Sequence, residues 1–150
     1  MDANVAKFDA YLKEHGISHE MKEFSMNVGS AMSGPYPADQ TVKTIILIDK
    51  KNDTYAALLR GDDRISMSRM GFNLKLDGLR LAKQQEVLER TGFPVGGVPP
   101  LGFKAHFIID VKVEEMPFCW AGGGSDKTLI KLNPKDIITH TGGKVVRITG

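Results

Sequence analysis

Apolar residues in the first segment fall at helical spacing: Val5, Phe8, Tyr11 and Leu12 share one face, and Gly16 follows as a stop. The spacing predicts a helix over 2–15. "ISHEMKEF" (17–24) alternates loosely and reads as a strand. Residues 25–40, "SMNVGSAMSGPYPADQ", are rich in Gly, Ser and Pro and read as a loop. "TVKTIILID" (41–49) is β-branched and apolar, which predicts a central strand, and "TYAALLRG" (54–61) pairs back on it across the turn "KKND". A loop and one short helix are expected in "DDRISMSRMGFNLKLDG", a brief strand in "LRLA", and a helix over 83–92 with Gly92 at its C-terminal end.

Beyond residue 104 the pattern is mostly extended. "AHFIID" (105–110) reads as a strand, and "FCWA" (118–121) and "KTLIKL" (127–132) as a strand pair around "GGGSD". "NPKDIITHTGG" carries a strong helix start, with Asn133 as the cap, Pro134 in the first helical position and Asp136 in the first turn; Gly142 or Gly143 ends it. "KVVRI" (144–148) is a last strand. About seven strands and three or four helices, without strict βαβ alternation, predict an α+β fold. Its sheet is mixed or mostly antiparallel and could close as a barrel.

Composition narrows this little. The 150 residues suit one domain, 1–150, with a single core. Apolar residues make up 41% and charged residues 25%, the balance of an ordinary soluble protein. No apolar run approaches the roughly 18 residues of a membrane span, and "MDANVAKFDAYLKEHG" has no signal-peptide core. A cytoplasmic location and no membrane partner are therefore expected. The net charge of +2 argues against broad coating of nucleic acid while allowing a local basic patch.

Familiar catalytic motifs fail one by one. "GGGSDKT" lacks the glycine that a phosphate loop places directly before its lysine, because Asp126 precedes Lys127. No GxGxxG joins a strand to a helix, and no G-x-S-x-G elbow occurs. His15, His19, His106 and His140 are scattered, and the single cysteine, Cys119, cannot build a zinc site, so no metal or cofactor is expected. His15 and His140 suit helix C-termini. Cys119 beside Trp120 suits a core strand, with nothing adjacent to activate its thiol.

Three features remain. Lys43 sits within an apolar strand, where it is either an outward lysine blunting an edge or a cation facing a cavity. "TGFPVGGVPPLGF" (91–103) combines Gly96 and Gly97, which let a ligand approach the main chain, with Pro94, Pro99 and Pro100, which stiffen it. It is either a rigid helix-to-strand connection or a cradle of backbone N–H groups for a carbonyl or oxyanion. "AGGGSD" has more glycine than a hairpin needs, although a flexible tip would also account for it.

Together these segments resemble the YbaK/prolyl-tRNA synthetase editing-domain family. "TGFPVGGVPPLG" resembles its GxxxP loop, running Gly96-Gly97-Val98-Pro99-Pro100, and "VKTIILID" resembles its lysine strand, with Lys43 as the lysine. "LRLAKQQEVLERTG" resembles the segment leading into the loop, and "WAGGGSDKTLIKLNPKDIITHTGGKV" the closing section. The likeness runs from about residue 3 to the C-terminus. It implies a mixed, mostly antiparallel β-barrel surrounded by helices, and hydrolysis of the ester joining a wrong amino acid to a tRNA 3′ end.

In that family no side chain is the nucleophile. Water attacks the ester carbonyl, helped by the substrate's terminal ribose hydroxyl and by loop amides. The resemblance implies that Lys43 anchors the terminal phosphate and that Gly96 and Gly97 supply the amides. Val98, Pro99 and Pro100 would shape the pocket, and Thr44 with Gly122, Gly123, Gly124 and Ser125 would bind substrate. "SMNVGSAMSGPYPADQ" departs from the family's alanine-rich helix before the lysine, so the amino acid is expected only to be small: Ala, Cys, Ser or Pro. A monomer acting in trans on aminoacyl-tRNA, with a synthetase as a further partner, is the reading. A non-catalytic module binding a tRNA 3′ end or a synthetase, and a small-molecule ester or amide hydrolase, are the alternatives.

Overall fold

A computed structural model of the chain describes residues 1–28 and 34–150. Part of the predicted 25–40 loop, 29–33, lies outside the described residues. The first helix, α1 (Ala3–Glu14), starts where the Asp2 carboxylate accepts the N–H groups of Asn4 and Val5, at 2.7 and 3.2 Å. It buries Val5, Phe8 and Leu12, and Gly16 leaves it at φ +66°.

Among the described residues, eight strands form two sheets. The smaller holds β1 (Glu20–Glu23), β6 (Cys119–Gly122) and β7 (Thr128–Leu132) in the order β1-β7-β6. The larger holds β2 (Val42–Ile48), β3 (Thr54–Arg60), β4 (Arg80–Leu81), β5 (His106–Ile109) and β8 (Lys144–Val145) in the order β4-β2-β3-β5-β8. β2 and β3 make the expected antiparallel hairpin, whereas β3–β5 and β5–β8 are parallel. The helices are α2 (Met67–Leu74), α3 (Gln84–Thr91), α4 (Val111–Glu114) and α5 (Pro134–Thr141), with a 3-10 turn at Ala38–Gln40. None of the described helices is long and apolar enough to cross a membrane.

The expected mixed α+β architecture is present, but the two sheets are not closed into a barrel. They meet at one parallel bridge, Thr41 to Trp120, rather than along a ladder. Closure fails partly because β8 is two residues long. Beyond it, the Ile148 N–H turns to the Asp110 carboxylate instead of continuing a strand. The central strand is β3, with Tyr55–Leu59 buried throughout, as expected where both faces are covered. β2, expected at the centre, lies one place from the edge, because its outer neighbour β4 pairs only with Leu47 and Ile48.

The larger sheet buries both faces. Val42, Ile46, Ala56, Leu58, Phe107 and Ile109 join the main core with Phe8, Leu12, Val87 and Ile130. Leu47, Tyr55, Ala57 and Ile108 pack on the other side with Met70 of α2 and Ile148. Lys43 therefore starts on the α2 side and Thr44 on the main-core side, since neighbours in a strand point opposite ways.

Asp110 is fully buried and holds three groups: the N–H of Lys112, which opens the unforeseen helix α4, the N–H of Ile148, and the Thr149 hydroxyl. Removing the carboxylate orphans buried donors, each costly to leave unpaired. Asp110→Ala is expected to cost about 3 kcal/mol of stability, read as a lower midpoint in urea at unchanged slope. An unchanged midpoint would mean that the C-terminal segment does not depend on this carboxylate.

Candidate functional site

The open part of the β2 edge forms one wall of a cleft. β4 covers only the far end of β2, where the Ala82 N–H donates to the Ile46 carbonyl. The near end stops at the Thr41–Trp120 bridge. Between them, among the described residues, no strand pairs with residues 43–45 on the outer side. The cleft there has about 280 Å³ of space. Its walls are Thr41 to Ile46, Leu81 and Ala82, Val87 of α3, the loop residues Val95, Gly96 and Val98, and Trp120 to Gly122.

The structure brings together Lys43, Thr44, Gly96, Val98 and Gly122 in this one cleft. It does not bring Gly97, Pro99, Pro100, Gly123, Gly124 or Ser125 to its walls. Lys43 is half-buried, and its ammonium donates to the carbonyls of Gly61 and Asp63. Burial pushes it below the ordinary lysine range, and the carboxylates of Asp63 and Asp62 partly offset that. An ammonium has three donors, so two bonds to carbonyls leave one for a ligand. Thr44 contributes a different feature: its Oγ1 is buried and has no hydrogen-bond partner among the described residues. A buried hydroxyl without a partner costs free energy, which a bound polar group would recover.

Across the cleft, α3 ends at Gly92, at φ +80°, and the loop begins. Gly96 lies at φ +89°, a backbone that side-chain-bearing residues rarely adopt. The Gly97 N–H, expected to face a ligand, is committed to the Pro94 carbonyl at 3.0 Å, and the Gly97 carbonyl accepts from the Gly124 N–H at 2.9 Å. Among the described residues the N–H groups of Gly96 and Val98 have no backbone partner. Gly97 is instead a packing glycine: a Cβ there would lie 2.7 Å from the Ser125 backbone. Pro99 and Pro100 are buried behind the loop.

The same close approach explains the glycine run in the β6–β7 hairpin. A Cβ at Gly122 would sit 2.5 Å from the Val98 carbonyl oxygen, one at Gly123 2.7 Å from the Thr128 side chain, and one at Gly124 3.0 Å from the Asn4 carbonyl of α1. Each glycine is required by a different neighbour. Ser125 closes the turn by bonding to Thr128 at 2.8 Å.

Sequence reasoning missed the aromatic end of the cleft. Tyr36 stacks on Trp120 with ring centroids 4.1 Å apart and planes 6° apart, and both line the cleft. The one available signal was the position of Trp120 directly before the glycine run. Among the described lining residues only Lys43 and Tyr36 ionise, and none of these residues offers a carboxylate, imidazole or thiol as a base or nucleophile. Cys119 is sealed in the core, and burial pushes its thiol up to about 12. Of the histidines, His15 bonds to the Tyr11 carbonyl and His19 to Asp9, each at 2.8 Å. His140 lies in the last turn of α5.

Comparison with known proteins gives a consistent result. A family model described as an aminoacyl-tRNA editing domain matches residues 21–139. The proline–tRNA ligase of Geobacter metallireducens is 29% identical over 131 residues, covering 82% of this chain and 23% of the ligase. That of Geotalea daltonii is 37% identical over 75 residues, covering 50% and 13%. The chain thus spans less than a quarter of either ligase. A crystal structure described as a proposed trans-editing enzyme for prolyl-tRNA synthetase superposes with a TM-score of 0.89 at 25% identity, covering 100% of this chain and 99% of that one.

Proposed function

The chain belongs to the aminoacyl-tRNA editing domain family, and from that membership we propose that it is a trans-editing hydrolase, releasing a small amino acid from mischarged tRNA. The observation that carries this reading is the shared cleft, with Lys43 and Thr44 on one wall and, on the other, Gly96 and Val98, whose N–H groups have no backbone partner among the described residues. The trans-acting mode draws support from the solved neighbour, whose whole chain is matched by this one.

The reaction adds water to the ester carbonyl and expels the ribose oxygen, giving free amino acid and uncharged tRNA. The Gly96 and Val98 N–H groups receive the carbonyl oxygen as it gains charge. One such donor is worth roughly 3 to 4 kcal/mol of barrier. The remaining ammonium donor of Lys43 takes a phosphate oxygen of the tRNA end. With no carboxylate or imidazole among the described lining residues, the vicinal ribose hydroxyl of the terminal adenosine orients the water, takes a proton from it and passes its own proton to the leaving oxygen. Ile46, Ala82, Val87 and Leu129 give the cleft apolar surface suited to a short side chain.

Incubation with tRNAs carrying Ala, Cys, Ser, Pro and a large residue such as Phe tests this. Release of one of the small amino acids, and retention of Phe, is the expected outcome. Binding without release from any of them would make the chain a tRNA-end binding module instead.

A further inference from the structure

We infer that Arg64 is a positioning residue of this site, which binds the phosphate preceding the one held by Lys43 and so leads the tRNA 3′ strand out of the cleft across the turn after β3. This rests on the editing reading above and gives the substrate's anionic strand a path beyond the ester.

One turn brings two cations together. The Lys43 ammonium donates to the carbonyls of Gly61 and Asp63, and Arg64 follows Asp63 directly in the chain. Lys43 lines the cleft, whereas Arg64 lies outside its walls and is exposed. Burial lowers the Lys43 ammonium most, Asp63 and Asp62 oppose that, and the Arg64 guanidinium lowers it further. The two cations therefore lie within electrostatic reach, one at the cleft and the other on the surface beside it.

The nearby carboxylates are engaged elsewhere. Asp62 meets Arg60 at 2.7 Å, Asp63 meets Lys112 at 3.2 Å, and Asp39 acts on Arg60. Among the described residues neither Lys43 nor Arg64 lies within ion-pair distance of a carboxylate. Two like charges side by side oppose each other, and an anionic chain that touches both removes that cost. A net charge of only +2 over 150 residues makes this local excess of cations informative.

The main chain under Arg64 is braced. Its carbonyl accepts the Gly150 N–H at 3.1 Å, Ile65 bridges to Thr149, and the Ser66 N–H donates to the Ile148 carbonyl at 2.7 Å. Only the side chain is left to order when a ligand binds. The two cations also divide the work. Lys43 has one donor left beyond its two carbonyls, enough to hold one phosphate oxygen. The planar fork of Arg64 takes two oxygens of one phosphate. A strand carries one negative charge per nucleotide, so a chain whose terminal phosphate sits on Lys43 meets Arg64 at the phosphate before it.

The test uses the aminoacyl-tRNA hydrolysed fastest in the panel and the variants Arg64→Gln and Arg64→Lys. Arg64→Gln is expected to raise KM about 10-fold, the weight of one charge-assisted contact, with kcat within about 2-fold of wild type. The slope of log KM against log salt should become shallower by about one contact. Arg64→Lys should restore that slope. An acceptor-stem minihelix with a neutral methylphosphonate in place of the penultimate phosphate locates the contact: the change should raise KM about 10-fold for wild type and little for Arg64→Gln. A KM and salt slope unchanged in Arg64→Gln, a fall in kcat matching the rise in KM, or an equal cost of the neutral linkage in both proteins would overturn the inference and leave the editing reading intact. Failure of the wild type to hydrolyse any aminoacyl-tRNA in the panel would overturn the editing reading, and the inference with it.

Discussion

Lys43→Ala is expected to lower kcat/KM for aminoacyl-tRNA by about 100-fold, equivalent to about 2.7 kcal/mol of transition-state binding, while the fold survives. The reasoning separates two roles of one ammonium. Its bonds to the Gly61 and Asp63 carbonyls tie down the turn after β3, but Asp62 in that turn is exposed and Asp63 half-buried, so water can take over part of the ammonium's role there. A phosphate at the tRNA end has no substitute cation among the other lining residues. The loss should therefore appear in activity, with stability lowered by only about 1 kcal/mol. The slope of log affinity against log salt should become shallower by about one contact. Lys43→Arg keeps the charge but replaces a compact ammonium by a planar fork, so it should restore the salt slope before it restores the rate. Equal activity in wild type and Lys43→Ala would remove this residue from the site.

Gly97→Ala and Gly96→Ala are expected to fail in opposite ways, although they are adjacent. At Gly97 the new methyl would lie 2.7 Å from three backbone atoms of Ser125, and backbone cannot step aside cheaply. Overpacking of that kind costs about 3 kcal/mol, a fall in melting temperature of about 6 to 12 °C for a chain of this size. At Gly96 the nearest atom is the Asp126 Cβ at 3.5 Å, an ordinary contact, so the main cost is the φ of +89°. That strain is about 1 kcal/mol, but it shifts the amide proposed to receive the ester carbonyl, and the rate should fall by about 100-fold. Thermal melts and single-turnover deacylation on the two variants give the comparison. Similar losses of stability and rate in both would make the whole loop a structural connection.

This contrast marks the limit of what residue order disclosed. Local chemistry was legible. Asn133 caps α5 through the Lys135 N–H, Gly92 ends α3, and "TVKTIILID" pairs with "TYAALLRG" across a tight turn. These depend on neighbours a few residues apart. The association of Lys43 and Thr44 with the Gly96 loop was legible only through the family resemblance. What stayed hidden depends on distant approaches. Nothing around Gly97 shows that Ser125 will lie against it, so a packing glycine and a ligand-facing glycine look alike in "VGGVPP". The three glycines at 122–124 answer to Val98, Thr128 and Asn4, three separate segments. Simple alternation could not place Lys43, because both faces of β2 are covered and both carry apolar residues. The barrel was overread for a similar reason: strand count was visible, but not that β4 and β8 are two residues long.

The central claim is that the β2 edge and the glycine–proline loop hold one ester between them. Titrating the isotope-labelled protein with a 3′-aminoacylamido adenosine, in which an amide replaces the scissile ester, measures this residue by residue. The predicted result is saturable shifts of the Thr44 amide on one wall and of the Gly96 and Val98 amides on the other, at a common Kd. Shifts confined to one wall, or to the separate depression around Tyr55, His106 and Lys144, would contradict it.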